Sequence, residues 1–305
     1  MSRREFRYLR SSMLRGLITT TRTVSDVTLH MKLLPSLLLS LGLLISNAHA
    51  QTPAPIRILL ITGGCCHDYA KQKDILKEGL EKRINAQVVQ IHTDDKSTKP
   101  PLEIYGNPDY AKGFDLVIHD ECAAGIDDEN TIRGVLKPHL DGIPGVNLHC
   151  AMHCYRIGKA GDPAEIGTPH GLWFEYLGLQ SSGHGPQEPI DIVHIDKEDA
   201  ISKNLPDWTT IKEELYNNIK VFDSAKPVAK GKQTVRNKDG SEKEVESVVA
   251  WTNVYQNKTR VFSTTIGHNN DTVSDDRYLN FVARGVLWTT DHLDKNGSAK
   301  EGYAK

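Results

Sequence analysis

The chain has 305 residues with 37 Lys/Arg against 39 Asp/Glu. The first 50 residues hold seven of those basic and two of those acidic groups, so the remainder carries 30 against 37, a net charge of −7. Such an acidic surface excludes nucleic acid, which needs clustered positive charge, and suits a small-molecule ligand.

In chain order, Leu33 to Ile45 is an uncharged apolar run of 13 residues. That is too short to span a bilayer. Lys32 precedes it and Ala48-His49-Ala50 follows as a small-x-small exit, the three parts of a secretory signal peptide. The expectation is cleavage after Ala50, a periplasmic or secreted location and no membrane attachment afterwards. Met31 is the natural initiator for this leader. Ser2 to Phe6 (SRREF) also has the form of a twin-arginine signal, but its apolar run lies too far downstream.

Ile56 to Thr62 is an apolar run ending in Gly63-Gly64 and reads as a buried strand. Ile75, Leu76, Leu80 and Ile84 recur at helical spacing, which predicts an amphipathic helix over 70–85. A second strand follows at 86–92, then a long loop over 93–112. A third strand is expected at 114–119, a helix opened by Asp127-Asp128 over 127–140, and a fourth strand at 143–148. This alternation predicts an α/β fold with a mostly parallel sheet flanked by helices. The second half reads as loop over 157–187 with a short helix at Leu172 to Leu177, then strands at 189–195, 219–224, 247–255 and 260–266. Asp239-Gly240 predicts an exposed β-hairpin over 226–246. A closing helix through Tyr278, Phe281, Val282 and Val286 is capped by Asp275 or Asp276, and a polar tail frays from Asp294 to the end. The domain is therefore expected over 51–293.

In open α/β sheets ligands bind beyond the carboxyl ends of the strands. The first strand exits into Gly63-Gly64-Cys65-Cys66-His67-Asp68 and the third into His119-Asp120-Glu121. The fourth exits into His149-Cys150 and the late strand into Gly267-His268-Asn269. With 13 histidines in the chain, this concentration at strand ends marks a cleft. A neutral imidazole there serves as base, electrophile or metal ligand. Asp120 and Glu121 also fit as caps of the helix after 127. The five cysteines, an odd number, read as small buried residues, and adjacent Cys65-Cys66 is not metal-ligand spacing.

TGG followed by His67, FDLVIHDE, GVNLHCA at His149, Gly183-His184, EELY at Glu213 to Tyr216, Ala250-Trp251 and Gly267-His268 together resemble the ThuA-like, trehalose-utilisation family. Its fold is similar to class I glutamine amidotransferases. The resemblance implies a pocket over the first, third and fourth strand ends and a role in disaccharide metabolism linked to 3-keto sugars. It carries the family's glutamate onto Glu214. The expected catalytic set is His149, His67, His268 and Glu214, with His184, Gly64, Asp120 and Tyr216 toward a sugar substrate. His67, His149, His184 and His268 are the candidates to hold zinc or manganese. Proton transfer or metal-assisted chemistry would follow. Two alternatives stand beside this reading. One is a sugar-binding accessory protein without turnover. The other is a cysteine hydrolase using Cys150, although His268 is followed by Asn269-Asn270 where amidotransferases have His-x-Glu. Self-association is left open.

Overall fold

The structure, a computed structural model, describes residues 53–305; the leader and its proposed cleavage site lie outside the described residues. Strands β1 (Ile56–Gly64), β2 (Ala86–Thr93), β3 (Leu116–Cys122) and β4 (Gly145–Leu148) run with helices α1 (Tyr69–Arg83) and α2 (Glu129–Asp141) between them. There follow α3 (Leu172–Leu177), β5 (Leu179–His194), β6 (Trp208–Val221), β7 (Ala225–Arg236), β8 (Glu242–Tyr255) and β9 (Thr259–Thr264). Two helices, α4 (Asn270–Val273) and α5 (Asp276–Thr289), close the domain.

Among the described residues, all nine strands join one sheet in the order β2-β1-β3-β4-β9-β8-β7-β5-β6. The first five pair in parallel and the remaining pairings are antiparallel. The sheet is thus mixed, with its longest ladders antiparallel, rather than mostly parallel as expected. The reason is connection length. Parallel neighbours need a long crossover, supplied by α1 and α2, whereas the short turns at 237–241 and 256–258 permit only antiparallel pairing.

The pleat divides the core. Ile56, Ile58 and Leu60 pack in one cluster with residues of α1 and α5, while Leu59 and Ile61 pack in the other with α2 and α3. α5 lies close to β9 because Gly285 has no side chain: a Cβ there would sit 2.3 Å from the Phe262 ring. Asp275 caps α5 through the Arg277 N–H, and Asp128 caps α2 through the Thr131 N–H. Asp120 and Glu121 are therefore not the caps.

The strand expected over 219–224 is in fact β6, which begins at Trp208, and β5 begins inside the stretch read as loop. Gly183, Gly185 and Pro186 hide that strand, and they coincide with register shifts along β5. The hairpin forms, but only its tip is free, because β7 pairs with β5 and β8 with β9. The tail does not fray. The Asn85 N–H donates to the Tyr303 carbonyl at 2.9 Å, and the Tyr303 ring stacks on His292 at 3.6 Å.

Candidate functional site

Three strand ends and one antiparallel ribbon build the site. β1 delivers His67, β4 delivers His149 and β9 delivers His268. Their rings meet edge to face: His67 lies 4.6 Å from both His149 and His268, and those two are 5.4 Å apart, centroid to centroid. One ligand nitrogen from each falls within 4.8 Å of the others. Sequence separation between these residues is large, and the parallel half of the sheet removes it.

The backbone is strained where this happens. His149 has φ 43° and Cys66 has φ 83°, left-handed values that side chains with a Cβ avoid at a cost of about 1–2 kcal/mol. His149 opens a tight helical turn (His149–His153) directly after β4. Gly64 has φ 95°, and only glycine fits there because a Cβ would meet the Cys122 carbonyl oxygen at 2.2 Å. It lines a small cleft of about 50 Å³ with His67, Tyr69, His92 and Lys96.

β6 supplies the carboxylates. Glu214 is buried, with its oxygens 3.5 Å from His149 Nε2, 3.3 Å from His268 Nδ1 and 3.6 Å from His184 Nε2. Burial alone would raise its pKa, but the contacts from His149 and His268 outweigh that and hold it well below the usual carboxylate range. The same pairing with Glu214 raises His268. His67 is pushed down to about 2 by burial first and then by its two imidazole neighbours, so it is neutral. The His149 Nδ1–H donates to the Thr265 carbonyl at 2.6 Å, which orients the ring so that Nε2 faces Glu214.

His67 Nδ1, His149 Nε2 and His268 Nδ1 are all buried without an aligned hydrogen-bond partner. Buried polar atoms are almost always satisfied, and three neighbouring histidines, each with such an orphan, match the donor set of a three-histidine metal centre.

Of the residues expected to face a sugar, His184 is half-exposed beside Glu214, its Nδ1–H donating to the Gly185 carbonyl. Tyr216 does not face a sugar. It is 1% exposed, stacked 4.3 Å from His153 and tilted 5.1 Å from His149, so it is the floor of the site. Asp120 is buried on β3, and burial followed by Glu121 raises its pKa well above the carboxylate range, which makes it a neutral acid beneath the cleft. Cys150 is buried with its thiol 3.1 Å from the Cys122 sulfur, so it lacks the imidazole partner that a hydrolytic cysteine needs.

Three contributors escaped the sequence reading. The Glu213 carboxylate accepts from the backbone N–H groups of Gly267, His268 and Asn269 at 3.4, 2.9 and 3.2 Å. Gln72, buried on α1, donates to the His268 carbonyl at 3.0 Å. The Gln187 amide nitrogen lies 2.9 Å from His268 Nε2 and donates to Glu214 at 3.3 Å. The doublet Glu213-Glu214 was the available signal. On a strand, neighbours point to opposite faces, so one carboxylate holds the loop while the other faces the cleft.

Comparison with known proteins agrees with this architecture. A ThuA-like protein from Parabacteroides merdae is similar at a TM-score of 0.55 and 20% identity, over 77% of this chain and 90% of that one. At this identity the likeness speaks for the fold alone. A GMP synthase component from Thermoplasma acidophilum (TM-score 0.39, 12% identity, 75% and 95% of the two chains) is more distant. So is the glutaminase domain of the Trypanosoma brucei CTPS with bound acivicin (0.41, 11%, 82% and 100%). No curated protein matches the chain. The profile of the family described as trehalose utilisation matches residues 57–289, from β1 to the end of α5 and so across every element that contributes a site residue; the chain belongs to the ThuA family.

Proposed function

We propose that the protein is a metal-assisted enzyme of oxidised-disaccharide metabolism, moving a proton next to a sugar carbonyl. The observation that carries this reading is the meeting of His67, His149 and His268 beside Glu214, one ligand nitrogen of each within 4.8 Å of the others and each ring holding a buried nitrogen without an aligned partner. His67, His149 and His268 would hold a zinc-class or manganese ion. When bound, such an ion supplies Lewis acidity toward a carbonyl oxygen. Glu214, the ionised carboxylate shared by three histidines, takes the proton from the neighbouring carbon. His184 at the rim accepts from a sugar hydroxyl through Nε2, and the thiols take no part in turnover. The trehalose-utilisation family supports a disaccharide as substrate class. The apolar leader supports an exported enzyme.

Purified protein is incubated with 3-keto-trehalose while products are followed by chromatography, and its metal content is measured by elemental analysis. Chelation should abolish turnover and readdition of zinc or manganese should restore it. Glu214→Gln should lower kcat by about 10²–10⁴, the usual share of a general base. Full turnover in His149→Ala, or turnover indifferent to chelator, would overturn the reading.

A further inference from the structure

The turns that aim the histidines also gather the thiols. Cys65 and Cys66 precede His67, Cys150 follows His149, and Cys122 ends β3 between them. The Cys122 sulfur lies 3.3 Å from that of Cys65 and 3.1 Å from that of Cys150. The sulfurs of Cys65, Cys66 and Cys122 all fall within 4.8 Å of one another. All five cysteines are free. Sulfurs packed this closely are more than small apolar filling, and the sequence spacing gave no sign of it.

We infer that Cys65, Cys66 and Cys122 form a second cation site, for a thiophilic divalent ion of the zinc class, beside the histidine centre. The distances favour an ion over a cross-link. A tetrahedral ion with sulfur bonds of about 2.3 Å holds its sulfurs about 3.8 Å apart, so the 3.3 Å pair spreads by about half an ångström. A disulfide at about 2.05 Å would instead require it to close by more than 1 Å. The site is also layered for entry: Cys122 is buried, Cys65 is half-buried and Cys66 is exposed. Cys66 holds a left-handed backbone, φ 83°, that a residue with a Cβ keeps only when its surroundings demand it. Three thiols supply three of four tetrahedral positions. The fourth opens to solvent or to a sugar oxygen. On binding, each thiol passes its proton to solvent as its sulfur–metal bond forms.

The full chain, reduced with a phosphine and stripped of metal, is titrated with Cd(II) and followed through the sulfur-to-metal charge-transfer absorption in the ultraviolet. The expected result is one equivalent of thiolate-bound Cd(II), at an affinity lowered at least tenfold in Cys65→Ser/Cys66→Ser. These positions are solvent-facing enough to spare the fold, which circular dichroism checks. His67→Ala/His268→Ala should keep the absorption. Because imidazole ligands give no sulfur band, this result and the fate of the histidine centre are read separately. The inference is overturned if reduced protein shows no sulfur band, or if the band survives unchanged in the double serine variant. It is equally overturned if protein isolated without reductant carries a Cys65–Cys122 or Cys122–Cys150 disulfide.

Discussion

Glu213 is the residue on which the geometry of His268 turns. Its carboxylate accepts three consecutive backbone N–H groups and so fixes the loop leaving β9. Charge-assisted hydrogen bonds of this kind contribute about 1.5–3 kcal/mol each, and orphaning buried donors adds to the cost. Glu213→Ala should therefore lower stability by about 2–4 kcal/mol and weaken zinc binding 10–100-fold, with Glu213→Gln intermediate. Urea melts and a zinc titration of both variants check this; unchanged zinc affinity in Glu213→Ala would mean that the loop is held some other way. His67, His149 and His268 were legible from the sequence because a strand exit is a local feature. Glu213, Gln187 and Gln72 were not, because a carboxylate or amide on a strand or helix reveals its partner only when two distant segments pack.

At the scale of elements, α2 and β3 carry a buried polar chain apart from the site. The His139 Nδ1–H donates to the Ile143 carbonyl at 2.8 Å, which leaves its Nε2 to accept from His119 Nε2–H at 3.1 Å. His119 Nδ1 and the Tyr155 hydroxyl meet Glu121 at 2.9 and 2.6 Å. Burial first, then His119, pushes His139 from the usual 6.5 down to about 3. The unfolded chain thus binds a proton at His139 below pH 6.5 that the folded chain refuses until about pH 3. Stability is consequently full above pH 6.5 and falls as pH drops through that window, by up to about 1.4 kcal/mol per pH unit. Urea midpoints at pH 7, 6, 5 and 4 should show a shallower slope in His139→Asn, along with lower stability at pH 7. Equal slopes in the two proteins would remove His139 as the cause. α1 and α5 were readable because each repeats its apolar residues at helical spacing, and α2 because Asp127-Asp128 opens it. β5 and β6 were obscured because glycines, a proline and bulges break the alternation that marks a strand.

For the whole molecule, the antiparallel ribbon matters most, because it brings Glu214 and His184 to histidines mounted on the parallel half. The C-terminal tail contributes too. The Asn85 N–H and side chain donate to Tyr303 and Gly302, the Lys305 N–H donates to the Arg83 carbonyl, and Ala299 and Tyr303 pack on the core. Deleting residues 294–305 should cost about 1–3 kcal/mol by the usual net worth of such hydrogen bonds. A urea midpoint that does not move would show the tail to be idle. The sequence by itself determined the order of helices and early strands and the family likeness, since periodicity and short motifs are written within a few residues. It also marked the strand ends where histidines gather. The tertiary structure alone decided that the sheet is mixed, that Tyr216 and Asp120 lie beneath the cleft, and that four cysteines adjoin. Those outcomes depend on which strands become neighbours, and hydrogen bonding between strands joins residues without regard to their separation along the chain.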